Sequence, residues 1–176
     1  MSYIQGKEII KQIKETRDEI NFEDYHIRNA EFRISQISSI ADKMWINIKK
    51  EHAEKLCNAE KKLKDLYEKL FSLKKACSTD EWNNLLQMLG TVIAQTENIP
   101  HVVNSLHDEF SLQRALNEVE NIIKLKQEKL ELAKSNNDED SITFIKAQLK
   151  FHENDMKRHH WGVERFNNIN EKKKSI

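Results

Sequence analysis

The sequence predicts an all-α protein, an elongated antiparallel bundle or coiled coil of long helices, on three observations. Only three glycines and one proline occur in 176 residues, so the residues that punctuate turns and strands are nearly absent. Charged residues make up 33% of the chain and aromatics 7%, a balance suited to long solvated helices. Apolar residues recur at alternating steps of three and four, the period of one helix face, with no strand-like alternation.

The chain reads as a single helical domain over 1–176. Residues 1–21 form an amphipathic N-terminal helix carrying Ile9, Ile10, Ile13 and Ile20, with a break at Asn21-Phe22-Glu23-Asp24. No strong breaker follows before Cys77, so one long helix is expected over 22–77. About fifty helical residues would span roughly 75 Å. Its apolar seam includes Ile34, Ile37, Met44, Ile48, His52, Leu56, Leu63, Leu66 and Leu70. Consecutive four-residue steps at 44–48–52–56 interrupt the heptad, which locally unwinds a supercoil. The expected dimer or packing contacts are Ile34, Ile37, Met44, Ile48, Leu63, Leu66 and Leu70, with Ile123 further along.

Ser78-Thr79-Asp80-Glu81 has the form of a capping box, in which Ser78 and Glu81 each satisfy a backbone donor of the other. It opens a short helix over 80–98, ended by Ile99-Pro100, because the residue before proline avoids helical geometry. Pro100 is suited to the first position of the next helix. Helices over 100–134 and 139–170 form a hairpin around the turn Ser135-Asn136-Asn137-Asp138. Their stripes read Val102, Leu106, Phe110, Leu116, Val119, Ile123, Leu130, Ala133 and then Ile142, Ile145, Leu149, His152, Met156, His159, Val163, Phe166. Residues 171–176 are expected to fray.

Composition narrows the function. Lys plus Arg equals Asp plus Glu at 29 each, so the basic surplus of a dedicated nucleic-acid binder is missing and no nucleic-acid partner is expected. A hydrophobic fraction of 38% gives a monomer a thin core. Helices that cannot cover an apolar stripe bury it against a partner, so a homo- or hetero-oligomer through helical seams is expected. Cys57 and Cys77 would lie about 30 Å apart on one helix, too far for a disulfide, and free thiols point to a reducing compartment. The first residues lack the apolar run of a signal peptide, and no stretch approaches the ~18 apolar residues of a membrane span. A cytoplasmic protein is expected.

Histidines offer the main chemical candidates. Glu23 and His26 have the Glu-x-x-His spacing of carboxylate-bridged metal bundles, and His160 and Glu164 are four apart. Such a site needs two copies of the motif plus further carboxylates, and one clean copy exists, so the metal bundle is the less favoured alternative. His52, His152 and His159 fall on apolar seams, and His52 reads as a packing histidine that leucine could replace without loss. Cys57 and Cys77 read as small apolar residues. The contiguous Ser105-Leu106-His107-Asp108 is not a triad, which is defined by geometry rather than adjacency. No Gly-rich phosphate loop is present. No catalytic residue, cofactor or metal is assigned, and the chain reads as a non-enzyme. Lys124, Lys126, Lys129 and Lys134 before the 135–138 turn, with Lys146 and Lys150 after it, form a basic array suited to anionic membrane lipid.

Leu106-His107-Asp108-Glu109-Phe110-Ser111-Leu112, with the amphipathic run to Lys126-Gln127, resembles the middle helix of sorting-nexin BAR domains. The stretch Lys150 to Asn168, with Val163-Glu164-Arg165-Phe166, is similar to the opening of that family's third helix. The resemblance covers about Phe22 to Lys174. It departs from the family in lacking a preceding phosphoinositide-binding PX domain and in a shortened final helix. It implies a dimerising module that binds curved endosomal membranes in protein transport, peripheral on that membrane. The alternative is a coiled-coil scaffold subunit of a larger cytoplasmic complex.

Overall fold

The computed structural model describes residues 1–36, 41–99, 105 and 108–175, with side-chain positions for all of these except 41, 42, 159–163, 165–167 and 170. Among them every regular element is helical. The α-helices are α1 (Ser2–Gln36), α2 (Ala41–Ser72), α3 (Thr79–Gln95), α4 (Glu109–Ser135) and α5 (Glu139–Lys174), and a 3-10 turn at Lys74–Ala76 lies between α2 and α3. The chain divides into two compact units, Met1–Leu85 and Leu86–Ile176, with the division inside α3.

In the first unit α1 pairs with α2. Arg17 reaches Tyr67 at 3.5 Å, Glu31 meets Lys49 at 3.0 Å, and the Arg33 guanidinium lies 5.9 Å from the centre of the Trp45 ring. Numbers that rise along α1 fall along α2, so the two helices run antiparallel. The single helix expected over 22–77 is therefore two helices, and the break expected at Asn21-Phe22-Glu23-Asp24 lies inside α1. Those four residues are weaker helix formers by only a few tenths of a kcal/mol each, and no proline or glycine stands among them. Glu23 is buried and Asp24 pairs with Arg28 at 2.9 Å across one turn, so packing overrides propensity there.

The seam of α2 was legible apart from its start. Ala59, Leu66 and Leu70 are buried, and Ile48, Leu56 and Leu63 are half-buried. Met44 is 54% exposed, and Trp45 takes the inward position instead. Counted from Trp45, the steps to 48, 52, 56, 59, 63, 66 and 70 leave one pair of consecutive fours. On α1, Ile9, Ile10, Ile13 and Ala30 are buried and Ile34 is half-buried; Ile37 lies outside the described residues. Buried Thr16 donates its hydroxyl to the Gln12 carbonyl at 2.8 Å, which removes the penalty of an unpaired buried polar group.

The capping box forms as its spacing requires. Ser78 N–H donates to Glu81 Oε2 at 2.9 Å, and Glu81 N–H donates to Ser78 Oγ at 3.2 Å. Downstream, α3 buries Trp82, Leu85, Leu86, Leu89 and Ala94. Pro100 lies outside the described residues, and α4 starts at Glu109 rather than at position 100. Asp108 caps it, accepting from Ser111 N–H at 2.7 Å and from Ser111 Oγ at 2.7 Å. Because the helix begins there, Phe110 falls in the first turn and is 80% exposed, while Leu112 and Ala115 take the inward positions expected for Phe110 and Leu116. From Val119 onward the expected stripe holds.

The second unit pairs α4 with α5 around the expected turn. Asn137 adopts φ 54°, Asn137 N–H donates to the Lys134 carbonyl at 3.1 Å, and Asp138 N–H donates to the Ala133 carbonyl at 3.0 Å. This is a Schellman motif with asparagine in the left-handed position. Asp138 then caps α5 through Ser141, so carbonyls at the end of one helix and an amide at the start of the next are satisfied by groups from residues 132–141. Leu130, Ala133, Ile145 and Leu149 form one buried cluster; Leu112, Ala115 and Val119 form another, and Ile123 packs against both. Helix α5 continues to Lys174, beyond the bound of 170 expected from the sequence.

Helix α3 meets α5 at Gly90. A Cβ there would stand 2.5 Å from the Phe144 carbonyl oxygen and 2.9 Å from Ala147 Cβ, so only glycine allows this approach. Gly6, by contrast, faces the methyl groups of Leu85, which would stand 2.6 and 2.9 Å from a Cβ there. Gly90→Ala is therefore expected to destabilise the protein. An overpacking penalty of about 1–3 kcal/mol against backbone outweighs a helix-propensity gain of about 1 kcal/mol. Gly6→Ala, which displaces side-chain methyls, is expected to cost less. Urea unfolding of both variants checks the order.

Candidate functional site

Among the described residues, polar side chains gather at three places, two of them buried. In the second unit Glu97, just beyond α3, lies between α4 and α5. Lys126 Nζ donates to Glu97 Oε1 at 2.5 Å and to Gln148 Oε1 at 2.6 Å. The Lys126 and Glu97 side chains are 14% and 16% exposed. His152 is fully buried, with Nε2 3.2 Å from Glu97 Oε2, yet neither ring nitrogen has a well-formed hydrogen bond among the described residues. Burial alone would push the Glu97 carboxyl up. The hydrogen bond and positive charge of Lys126, with the His152 ring beside the second oxygen, outweigh it, so the group ionises more readily than an ordinary glutamate. The cluster is a charge-compensated core network. Its lysine is tied to a carboxylate and so is not presented as a nucleophile.

Lys126 is the member of the expected membrane array that faces inward. Its position gave a signal. Counting 119, 123, 126, 130 and 133 continues the apolar stripe in steps of four and three, and a lysine on such a stripe requires a buried counter-charge. Glu97 carried no comparable signal, because it falls at the end of the helix expected over 80–98, where a glutamate reads as an ordinary solvated residue. Lys124, Lys129, Lys146 and Lys150 are exposed and form no ion pair among the described residues, whereas Lys134 pairs with Glu131 at 2.8 Å.

In the first unit Glu23 of α1 contacts His52 Nδ1 of α2, with side chains 6% and 16% exposed. The His52 ring stacks on His26, with centroids 4.6 Å apart and planes inclined by 11°. Phe22 and Tyr25 approach His26 edge-on at 4.4 and 5.4 Å. His52 is thus a carboxylate partner rather than the replaceable packing histidine expected, and Glu23 looks across the hairpin rather than along its own helix to His26. Among the described residues no three His, Cys, Asp or Glu side chains are grouped to hold a metal ion. The side chain of His160 lies outside them. Cys57 is exposed and Cys77 half-buried, both as free thiols.

The third place is an open cleft of about 450 Å³ lined by Gln87 and Thr91 of α3 and by Thr143, Lys146, Ala147 and Lys150 of α5. Gly90 and Ala147 bring the two helices together at its base. No helix among the described residues is long and apolar enough to cross a membrane. Comparison with known proteins found no matching family model, no matching curated protein and no matching solved structure.

Two outcomes follow from the buried pairs. His52→Leu leaves the Glu23 carboxylate buried without its partner and is expected to lose on the order of 3 kcal/mol, whereas Glu23→Leu combined with His52→Leu recovers most of it; a double-mutant cycle in urea measures both. Glu97 ionises more readily folded than unfolded, so its contribution is complete above its ordinary value of 4.5 and is lost as pH falls through the lower folded-state value. The stability difference between wild type and Glu97→Gln should therefore shrink in acid, as read from urea midpoints across pH 7 to about pH 3.

Proposed function

We propose that this chain is a non-enzymatic helical interaction protein that assembles with a partner helix through the outer face of α1. The observation that carries this reading is an exposed aromatic row. Phe22, Tyr25 and Phe32 are 57%, 66% and 59% exposed. Tyr25 and Phe32 are seven residues apart, which puts them within about 20° of each other around the helix, the spacing read by a partner helix. Phe22 and Tyr25 are held by ring contacts to His26, which in turn stacks on His52. Aromatics fixed in this way are favourable interface anchors, because little side-chain freedom is lost when they are covered. The seam of α2, by contrast, is covered within its own chain, so Leu66 and Leu70 serve internal packing. The reading therefore moves the assembly surface from the seam to the opposite face of the hairpin.

A membrane-associated version of this function, a BAR-like dimer on curved endosomal membrane, draws support from exposed Lys124, Lys129, Lys146 and Lys150. Within the first unit the helix expected to run straight through 22–77 folds back, so the lysines are the part of that reading with structural support.

Light scattering of the purified chain tests the assembly. The wild type is expected at the mass of a dimer or higher oligomer, and Tyr25→Glu with Phe32→Glu is expected at the monomer mass with unchanged helicity. A wild type that stays monomeric over the micromolar range, or a variant that keeps the wild-type mass, would refute it. Co-sedimentation with vesicles containing anionic lipid tests the membrane version separately.

A further inference from the structure

We propose that the cleft between α3 and α5 in the second unit binds a phosphoryl group, carried by a phosphorylated small molecule or by a lipid headgroup. Its volume of about 450 Å³ falls in the range of small-molecule sites. The chemistry of its walls is one-sided. Lys146 and Lys150 bring two ammonium groups, Thr91 and Thr143 two hydroxyls, and Gln87 an amide, while no carboxylate among the described residues lines it. That donor set suits a tetrahedral group of charge near −2 with several strong acceptor oxygens. A metal cation would be repelled by the lysines.

The lining is also unsatisfied within the protein. Neither lysine has a carboxylate partner among the described residues, and the Thr143 hydroxyl makes no hydrogen bond to any of them. Thr91 donates to the Gln87 carbonyl at 3.1 Å, a bond its hydroxyl can exchange for a ligand oxygen by rotation. Lys146 and Lys150 stand one turn apart on the same helix face, an arrangement of like charges that destabilises a helix and that an anion relieves. The geometry is built into the backbone. The Gly90 approach fixes Gln87 and Thr91, three residues before and one after it, opposite Thr143, Lys146 and Lys150, which flank Phe144 and Ala147. Donors on two packed helices keep their spacing better than donors on a loop.

Calorimetric titration of the full chain with inorganic phosphate and with glycerol 3-phosphate tests the soluble source. Co-sedimentation with phosphatidylcholine vesicles, with and without phosphatidic acid, tests the headgroup. At least one phosphorylated probe is expected to bind, and Lys146→Gln with Lys150→Gln is expected to weaken it by about tenfold or more, as for the loss of charge-assisted hydrogen bonds. Lys61→Gln with Lys62→Gln, exposed on α2 and outside the basic array, should leave binding unchanged. Binding of glycerol 3-phosphate assigns a soluble ligand; binding to phosphatidic acid vesicles alone assigns a lipid headgroup. The site is refuted if no probe binds, if the Lys146/Lys150 variant binds as the wild type does, or if the Lys61/Lys62 variant loses as much. None of these readouts depends on assembly through α1.

Discussion

The chain has too little apolar surface to build a deep core, and the rest of its structure follows from that constraint. Each helix can commit only a narrow stripe to burial, so each stripe must be matched by another from the same chain. Antiparallel pairing of α1 with α2 and of α4 with α5 meets that demand within each unit. Where the stripe runs out of apolar residues, the seam accepts polar ones, and each is then obliged to find a complement. Glu23 finds His52, and Lys126 finds Glu97 and Gln148. Such buried pairs contribute little net stability over apolar residues of the same shape. They do penalise every register in which one member loses the other, and a narrow seam of similar apolar residues needs that discrimination.

The helical class, the capping box at Ser78, the turn at 135–138 and most inward positions of α2 and α5 were legible in the sequence. These are properties of local spacing, and local spacing is what a helix records. The reversal between α1 and α2 was not legible. Neither glycine nor proline marks it, and the seam continues in phase from Ile34 towards Ile48 as though the helix were unbroken. The more polar Asn21-Phe22-Glu23-Asp24 drew the break instead, although tertiary burial of Glu23 holds it in helix. At the start of α4, Phe110 was misplaced because the cap at Asp108 sets the phase and the hydrophobic pattern alone does not show it.

The candidate sites divide along the same line. A lysine on an apolar stripe announces a buried partner, but the partner's identity depends on which segment the fold brings there, and Glu97 comes from outside every helix. The cleft at Lys146 and Lys150 was half visible: the two lysines formed part of an expected basic array. Their convergence with Thr91 and Gln87 depends on the Gly90 approach, which only the packed helices reveal.

The caps have a bearing on how the protein folds. The helix starts at α3, α4 and α5 are each specified by side chains within three residues of the backbone they satisfy. Between α4 and α5 the Schellman motif and the Asp138 cap complete a reversal with groups drawn from residues 132–141 alone. Closing that hairpin requires no distant segment, and contacts local in sequence cost the least chain entropy to form. The α4–α5 hairpin is thus the part of the chain that can assemble first. Glu97, joined to it through Lys126 and His152, adds to that hairpin a contact from outside it.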